Sequence, residues 1–385
     1  MKRKMNISKI IAVWLAVVLG IHGSMAQQKP AAPTPPLGWN SYDCFGSTVT
    51  EAEVKANAEM MAVHLKHYGW KYIVIDYCWF YPYPGAQGNP MQHRDFTPNF
   101  RMDANGHLLP ALRRFPSATG ESGFTQLANY VHSMGLKFGI HVMRGIPREA
   151  VAKKLPIGFG TITADMIADK NDTCTWLNAM YGVDMTRPRA QEYYNDLFKL
   201  YASWGVDYVK VDDIWKHKDE IEAVRKAIDQ CGREMVFSIS AGDREQIENA
   251  EFLKIQADMW RISNDFWDRW ADLKNQFELC HLWEKHVGNG HWPDADMIPL
   301  GHICQRNCDV RPDRWTRFSR DEQLTLMSLW ALAPSPLMLG MNLPDNDDWT
   351  KALLTNPEVL AVNQDPPQGC LNCRRPQLRS PRASR

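Results

Sequence analysis

Along this chain, short apolar and β-branched runs alternate with stretches of helical periodicity, and the alternation repeats about eight times. The runs are Leu37–Ser41, Tyr72–Trp79, Lys137–Met143, Asp207–Asp213, Met235–Ser240 and Ala257–Ser263, with weaker ones at His291–Met297 and Pro334–Gly340. Between the first two, Thr50 and Glu53 form a capping box, and Val54, Ala58, Met61, Leu65 and Tyr68 recur at helical spacing until Gly69. Phe124, Leu127, Val131 and Met134 lead to a stop at Gly135, and Tyr194, Leu197, Phe198 and Tyr201 share one face of Ala190–Trp204. A last helix spans Asp321–Leu332. Strands alternating with helices make a parallel sheet covered by helices. Because several different strands end in polar residues, the expectation is a closed (β/α)8 barrel over 37–366, whose strand ends share one face. The alternative, an open doubly wound sheet, wants a glycine-rich phosphate turn after its first strand, and Leu37–Asp43 has no GxGxxG.

The chemistry concentrates in Asp207-Tyr208-Val209-Lys210-Val211-Asp212-Asp213. Packing does not ask for a cation and two carboxylates at the end of a buried strand, since ionised groups must be paired or face a cleft. Lys210 and Asp212 are two apart, so both side chains point to the same face. Other strand ends contribute Trp39, Asp76, His141, Arg261 with Asp265, and Asp296. Two carboxylates, each beside a cation, suit glycoside hydrolysis: one attacks the anomeric carbon while the other, protonated and partly buried, donates to the leaving oxygen. The 15 Trp and 12 Tyr offer ring faces to sugar C–H groups as well as core volume.

Balanced charge, 44 Lys+Arg against 44 Asp+Glu, argues against nucleic acid as a partner. His286, His291 and His302 lack ligand spacing with a carboxylate, so no metal is expected, and hydrolysis of this kind needs no organic cofactor. Met1–Ala26 reads as a signal peptide: a basic start at Lys2-Arg3-Lys4, an apolar Ile10–Gly20, and a small-x-small site at Ser24-Met25-Ala26. The apolar part is too short to span a bilayer. The expected mature chain starts with an arm, 27–36, and is secreted or periplasmic. The nine Cys are compatible with disulfides in that setting. The long connection from Gly145 to about Met185 reads as a functional lid.

Six motifs then fall in order: Trp39-Asn40-Ser41, the Ile75-Asp76-Tyr77-Cys78-Trp79 run, Lys210-Val211-Asp212, Arg261 with Asp265, Trp292-Pro293-Asp294-Ala295-Asp296-Met297, and Asn363-Gln364-Asp365-Pro366. Together they resemble glycoside hydrolase family 27, the retaining α-galactosidases and α-N-acetylgalactosaminidases, over roughly Pro35–Pro366. The resemblance implies Asp212 as nucleophile and Asp265 as acid/base. It also implies sugar contacts from Trp39, Asp76, Lys210, Arg261 and Asp296, with His141 either a contact or a wall residue. A Cys44–Cys78 disulfide is implied as well. The partners it implies are glycans ending in α-galactosyl or α-N-acetylgalactosaminyl residues.

Three departures qualify the match. Where the family has two adjacent Asp after the second strand, here the second is Tyr77, which would admit a sugar lacking the O6 contact, such as an arabinopyranoside. Strand five gives Ser240 where α-galactosidases place Glu; the N-acetylgalactosaminidases carry Ser there, although Asp243 departs from their accompanying Ala. Finally, an Arg-rich 367–385 stands where the family's antiparallel β domain would follow, so that domain is read as missing or truncated. The expected activity is an exported retaining exo-α-galactosidase; an N-acetylgalactosaminidase, an arabinopyranosidase and an inactive sugar-binding barrel are the alternatives.

Overall fold

Most strands of the barrel carry apolar side chains on both faces, and each face finds its own core. The computed structural model describes residues 30–82, 100–158, 161–240, 242, 244–306 and 312–365. The signal segment 1–26, Asp243 and the tail 367–385 lie outside the described residues. The strands are β1 Leu37–Asn40, β2 Tyr72–Ile75, β3 Lys137–Met143, β4 Tyr208–Asp212, β5 Val236–Ile239, β6 Met259–Arg261, β7 Trp292–Asp294 and β8 Leu337–Leu339. They pair in parallel in the order 7-6-5-4-3-2-1-8. The ring closes just past β7: Ile298 N–H donates to Met338 O at 2.8 Å and Gly340 N–H to Ile298 O at 3.0 Å.

Alternate residues divide between two layers. Tyr72, Val74, Tyr208, Val236, Met259, Trp292 and Met338 form a cluster inside the barrel. Their neighbours Ile73, Ile75, Phe138, Ile140, Val209, Val211, Phe237, Ile239 and Trp260 form the layer beneath the helices. Burial of each such side chain is worth about 1.5–3 kcal/mol before entropy is counted. A Cβ on Gly139 would sit 3.0 Å from Tyr208 Cβ, so glycine makes room for the Tyr72 and Tyr208 rings, 5.6 Å apart. This two-residue period aims Asp76, His141, Lys210, Asp212 and Arg261 inward at the carboxyl end.

The helices lie where the sequence places them. Glu51–His64 begins at the Thr50/Glu53 capping box, with Thr50 N–H donating to Glu53 Oε2 at 2.9 Å. Thr125–Ser133, Ala190–Ser203 and Arg320–Leu332 follow their expected spans within two residues. The connection after β3 is more ordered than a plain loop. It folds into a small antiparallel sheet of Ile146–Pro147, Ala168–Thr173 and Met180–Val183. Among the described residues, no helix is long and apolar enough to cross a membrane.

Candidate active site

β2 and β4 build one half of the site. Lys210 Nζ donates to Asp76 Oδ2 at 2.9 Å, and Asn40 Nδ2 reaches the same oxygen at 2.6 Å. The other Asp76 oxygen accepts the Tyr77 N–H at 2.8 Å. Burial works against the Asp76 anion, but the Lys210 charge, His141 and these donors hold its pKa well below the ordinary value. Asp212 Oδ2 lies 3.1 Å from His141 Nε2, and its Oδ1 accepts the Asp213 N–H at 2.8 Å. Burial again opposes ionisation; His141, Lys210 and that N–H overcome it, so Asp212 is lowered and ionised at neutral pH.

β6 and β7 build the other half. Arg261 Nη2 is 2.7 Å from Asp296 Oδ2 and 3.3 Å from Asp265 Oδ1. Its charge also interacts with Asp294 and Asp212, which brings both proposed catalytic carboxyls into one electrostatic cluster. Burial, partly offset by Arg261 and reinforced by Asp265 and Asp294, pushes Asp296 up to about 6.

Several expectations are corrected. Asp265 is not partly buried: its side chain is 66% exposed, because the chain after Arg261 leaves the barrel wall there. Trp39 has no exposed surface. It faces the helix layer, where its Nε1 donates to Met341 O at 2.7 Å and its ring packs edge-on against Phe45. The inward residue of β1 is Asn40, which strand alternation would have indicated. His141 is fully buried behind Asp212, so it braces the carboxylate. Ser240 lies buried at the end of β5, its N–H bonded to Val211 O at 2.9 Å. Cys44 and Cys78 are separate buried thiols and form no disulfide. The Gln305 N–H engages Cys44 sulfur, and the Tyr77 side chain engages that of Cys78; burial pushes both thiols up.

The sequence reading missed Asp43. It sits on the short helix Tyr42–Phe45, 3% exposed, with Oδ2 lacking any hydrogen-bond partner. Burial, Asp296 and Cys304 raise its pKa well above the usual range, against a smaller pull from Lys210. An acidic residue inside the apolar run Tyr42-Asp43-Cys44-Phe45 was the available signal. Asp172, His217 and Glu220 form the one group among the described residues with enough close ligand atoms for a cation. The Arg144 guanidinium already binds both of those carboxylates.

Cation-paired carboxyls at the carboxyl end of a parallel barrel are the arrangement a glycoside hydrolase uses. The family described as alpha galactosidase A matches residues 173–365. An alpha-galactosidase A from Cellvibrio japonicus is 30% identical over 371 residues, 91% of this chain and 72% of that protein. The crystal structure of a GH27 β-L-arabinopyranosidase from Geobacillus stearothermophilus superposes with a TM-score of 0.83 at 53% identity, covering 87% of this chain and 77% of that one. A Bacillus halodurans protein provisionally assigned as an α-N-acetylgalactosaminidase gives 0.76 at 51%, over 87% and 77%. The chain belongs to glycoside hydrolase family 27, the α-galactosidase family.

Proposed function

We propose that this enzyme is a retaining exo-glycosidase for terminal pyranosides of galacto configuration, and that it prefers β-L-arabinopyranosides to α-D-galactosides. The two sugars share their ring hydroxyl arrangement and differ by the exocyclic hydroxymethyl group. The observation that carries the preference is Tyr77. It sits beside Asp76 in an aromatic wall, with ring centroids 6.2 Å from Tyr42, 5.6 Å from Trp176 and 5.7 Å from His141. That wall offers apolar surface where a second carboxylate would grip O6. The similarity to the arabinopyranosidase supports the same reading.

In the proposed mechanism, Asp212 attacks the anomeric carbon and forms a glycosyl ester while Asp265 protonates the departing oxygen. Asp265 then takes a proton from the incoming water, which cleaves the ester. Asp76, Lys210, Arg261 and Asp296 hold ring hydroxyls. The exposure of Asp265 suits a group that must meet both leaving group and water. We also infer export after cleavage before Gln27, which N-terminal sequencing of the mature protein checks.

The test compares kcat/KM on nitrophenyl β-L-arabinopyranoside, α-D-galactoside and α-N-acetylgalactosaminide. A galactoside or N-acetylgalactosaminide preference of tenfold or more would overturn the specificity. Trapping with a fluorinated glycosyl reagent should label Asp212, and proton NMR should show the product anomer retained. An inverted product would reject the mechanism, and sugar binding without turnover would leave only a binding barrel.

A further inference from the structure

Behind Asp212 lies a buried cluster that the proposed chemistry does not use. Arg144 follows β3 and is 3% exposed, and each of its five guanidinium N–H groups has an acceptor. Nε donates to Asp213 O at 2.7 Å, and Nη1 to Asp172 Oδ2 and Glu220 Oε1, both at 2.7 Å. Nη2 donates to Asp172 Oδ1 at 2.9 Å and Asp213 Oδ2 at 3.1 Å. Its backbone N–H extends the ladder to Asp212 O at 3.0 Å. The other Glu220 oxygen accepts from Tyr194 Oη. Asp172 comes from the small antiparallel sheet, and a Cβ on Gly182 would collide with it.

Asp213 adopts a left-handed backbone, φ 60°, which an L-residue takes up at a cost. That turn directs its N–H onto Asp212 Oδ1. Arg144 grips both the carbonyl and the carboxylate of Asp213. We propose that Arg144 is a positioning residue: through Asp213 it fixes the rotamer of Asp212, and its charge keeps three neighbouring carboxyls from opposing ionisation of Asp212. This rests on Asp212 being the nucleophile.

Asp212 is otherwise faced by His141 from β3, Lys210 on its own strand, Arg261 from β6 and Cys174 from the segment after the small sheet's second strand. All of these remain when Arg144 is replaced, so a change can be assigned to it. The experiment compares wild type, Arg144→Met and Arg144→Lys in the full chain on the better nitrophenyl glycoside, with rates expressed per enzyme molecule labelled by the fluorinated reagent. Misplacing a reacting group by about 1 Å costs on the order of 100-fold in rate. Arg144→Met should therefore lose about 100-fold in kcat with KM little changed. Its acid limb should move up by about one pH unit, since a lost neighbouring cation raises a carboxyl pKa. Arg144→Lys, with the charge but three donors, should restore the acid limb and not kcat. Should Arg144→Met not fold, Asp172→Asn turns one of the five acceptors into a donor, breaking that bond, and should lower kcat in the same direction. Wild-type kcat and acid limb in the folded variants would overturn the proposal. Asp212→Asn in the same series separates the two failures: if it turns over, the nucleophile assignment is wrong; if it is dead while Arg144→Met is normal, only the positioning role is.

Discussion

Replacing Lys210 by Met removes the cation that holds Asp76 and faces Asp212 while keeping the aliphatic volume. The Nζ to Oδ2 separation is 2.9 Å, with Lys210 13% and Asp76 2% exposed at the side chain. At an effective dielectric of about 20, that pair attracts by about 6 kcal/mol. Desolvating the ammonium takes back several kcal/mol, and removing one member of a buried pair costs roughly 3–5 kcal/mol in all. Asp76 keeps Asn40 and the Tyr77 N–H, so the low end applies, about 3 kcal/mol. Against a total stability of roughly 5–15 kcal/mol, urea unfolding resolves that loss readily. Its pH dependence follows from the directions of the shifts. Asp76 and Asp212 are depressed in the folded state, so the stability they contribute is full above their unfolded values and disappears as pH falls through their folded ones. Lys210 is raised by Asp76 and Asp212 against burial, so its contribution persists until pH climbs through its folded value. The difference between wild type and variant should thus be flat from pH 5 to 9 and shrink below about pH 4. A loss under 1 kcal/mol at pH 7, or a difference that stays constant into strong acid, refutes the reasoning.

Tyr77→Asp restores a carboxylate at the O6 edge; a charged hydrogen bond of about 1.5–3 kcal/mol should move the galactoside-to-arabinopyranoside ratio of kcat/KM roughly 10–100-fold toward galactoside. An unchanged ratio would remove Tyr77 from specificity. Cys44 and Cys78 should be alkylated in urea without prior reduction, as a mass shift on their peptides; labelling that requires a reductant would reveal a bond between them. Gly123→Ala puts a methyl into the Trp204 indole at φ 52°, and overpacking plus a left-handed alanine should cost about 3 kcal/mol in urea unfolding. A variant with the wild-type midpoint contradicts that packing.

What could be read in the sequence follows the strength of periodic burial. β3 was legible to the residue, Lys137–Met143, because it is long and buried on both faces. The shorter strands were placed correctly but read one to four residues too long, since the runs continue past the point where ladder hydrogen bonding stops. The small sheet was read as a loop: Ala168–Thr173 is Ala-Asp-Lys-Asn-Asp-Thr, mostly exposed and without alternation, and only pairing with Met180–Val183 makes it a strand. Lys210, Asp212 and Arg261 were visible because charge at the end of a buried strand has no packing explanation. Trp39 was misplaced although the two-residue period was available, since Asn40 and Trp39 cannot face the same side. Asp43 and Arg144 depend on contacts between distant segments, which no local pattern encodes.

The site's electrostatics are best understood as a sorting of protons. Asp43, Asp76, Asp212, Asp265, Asp294 and Asp296 share this end of the barrel with the cations Lys210 and Arg261. Two cations cannot support all of these as anions, and burial penalises each unpaired one other than the exposed Asp265. The carboxyls nearest Lys210, Asp76 and Asp212, are lowered; Asp43, Asp294 and Asp296 are raised. The pocket therefore presents its firmest anions on the β2 and β4 side, and carboxyls that more readily take a proton, and so can donate, at Asp43 and on the β7 side. A sugar needs both, because each hydroxyl donates one hydrogen bond and accepts others. As pH falls through about 6, Asp296 takes a proton and weakens its hold on Arg261, whose next carboxylate is Asp265 at 3.3 Å. The grip of the β7 wall on the Arg261 guanidinium is thus tied to the protonation of Asp296.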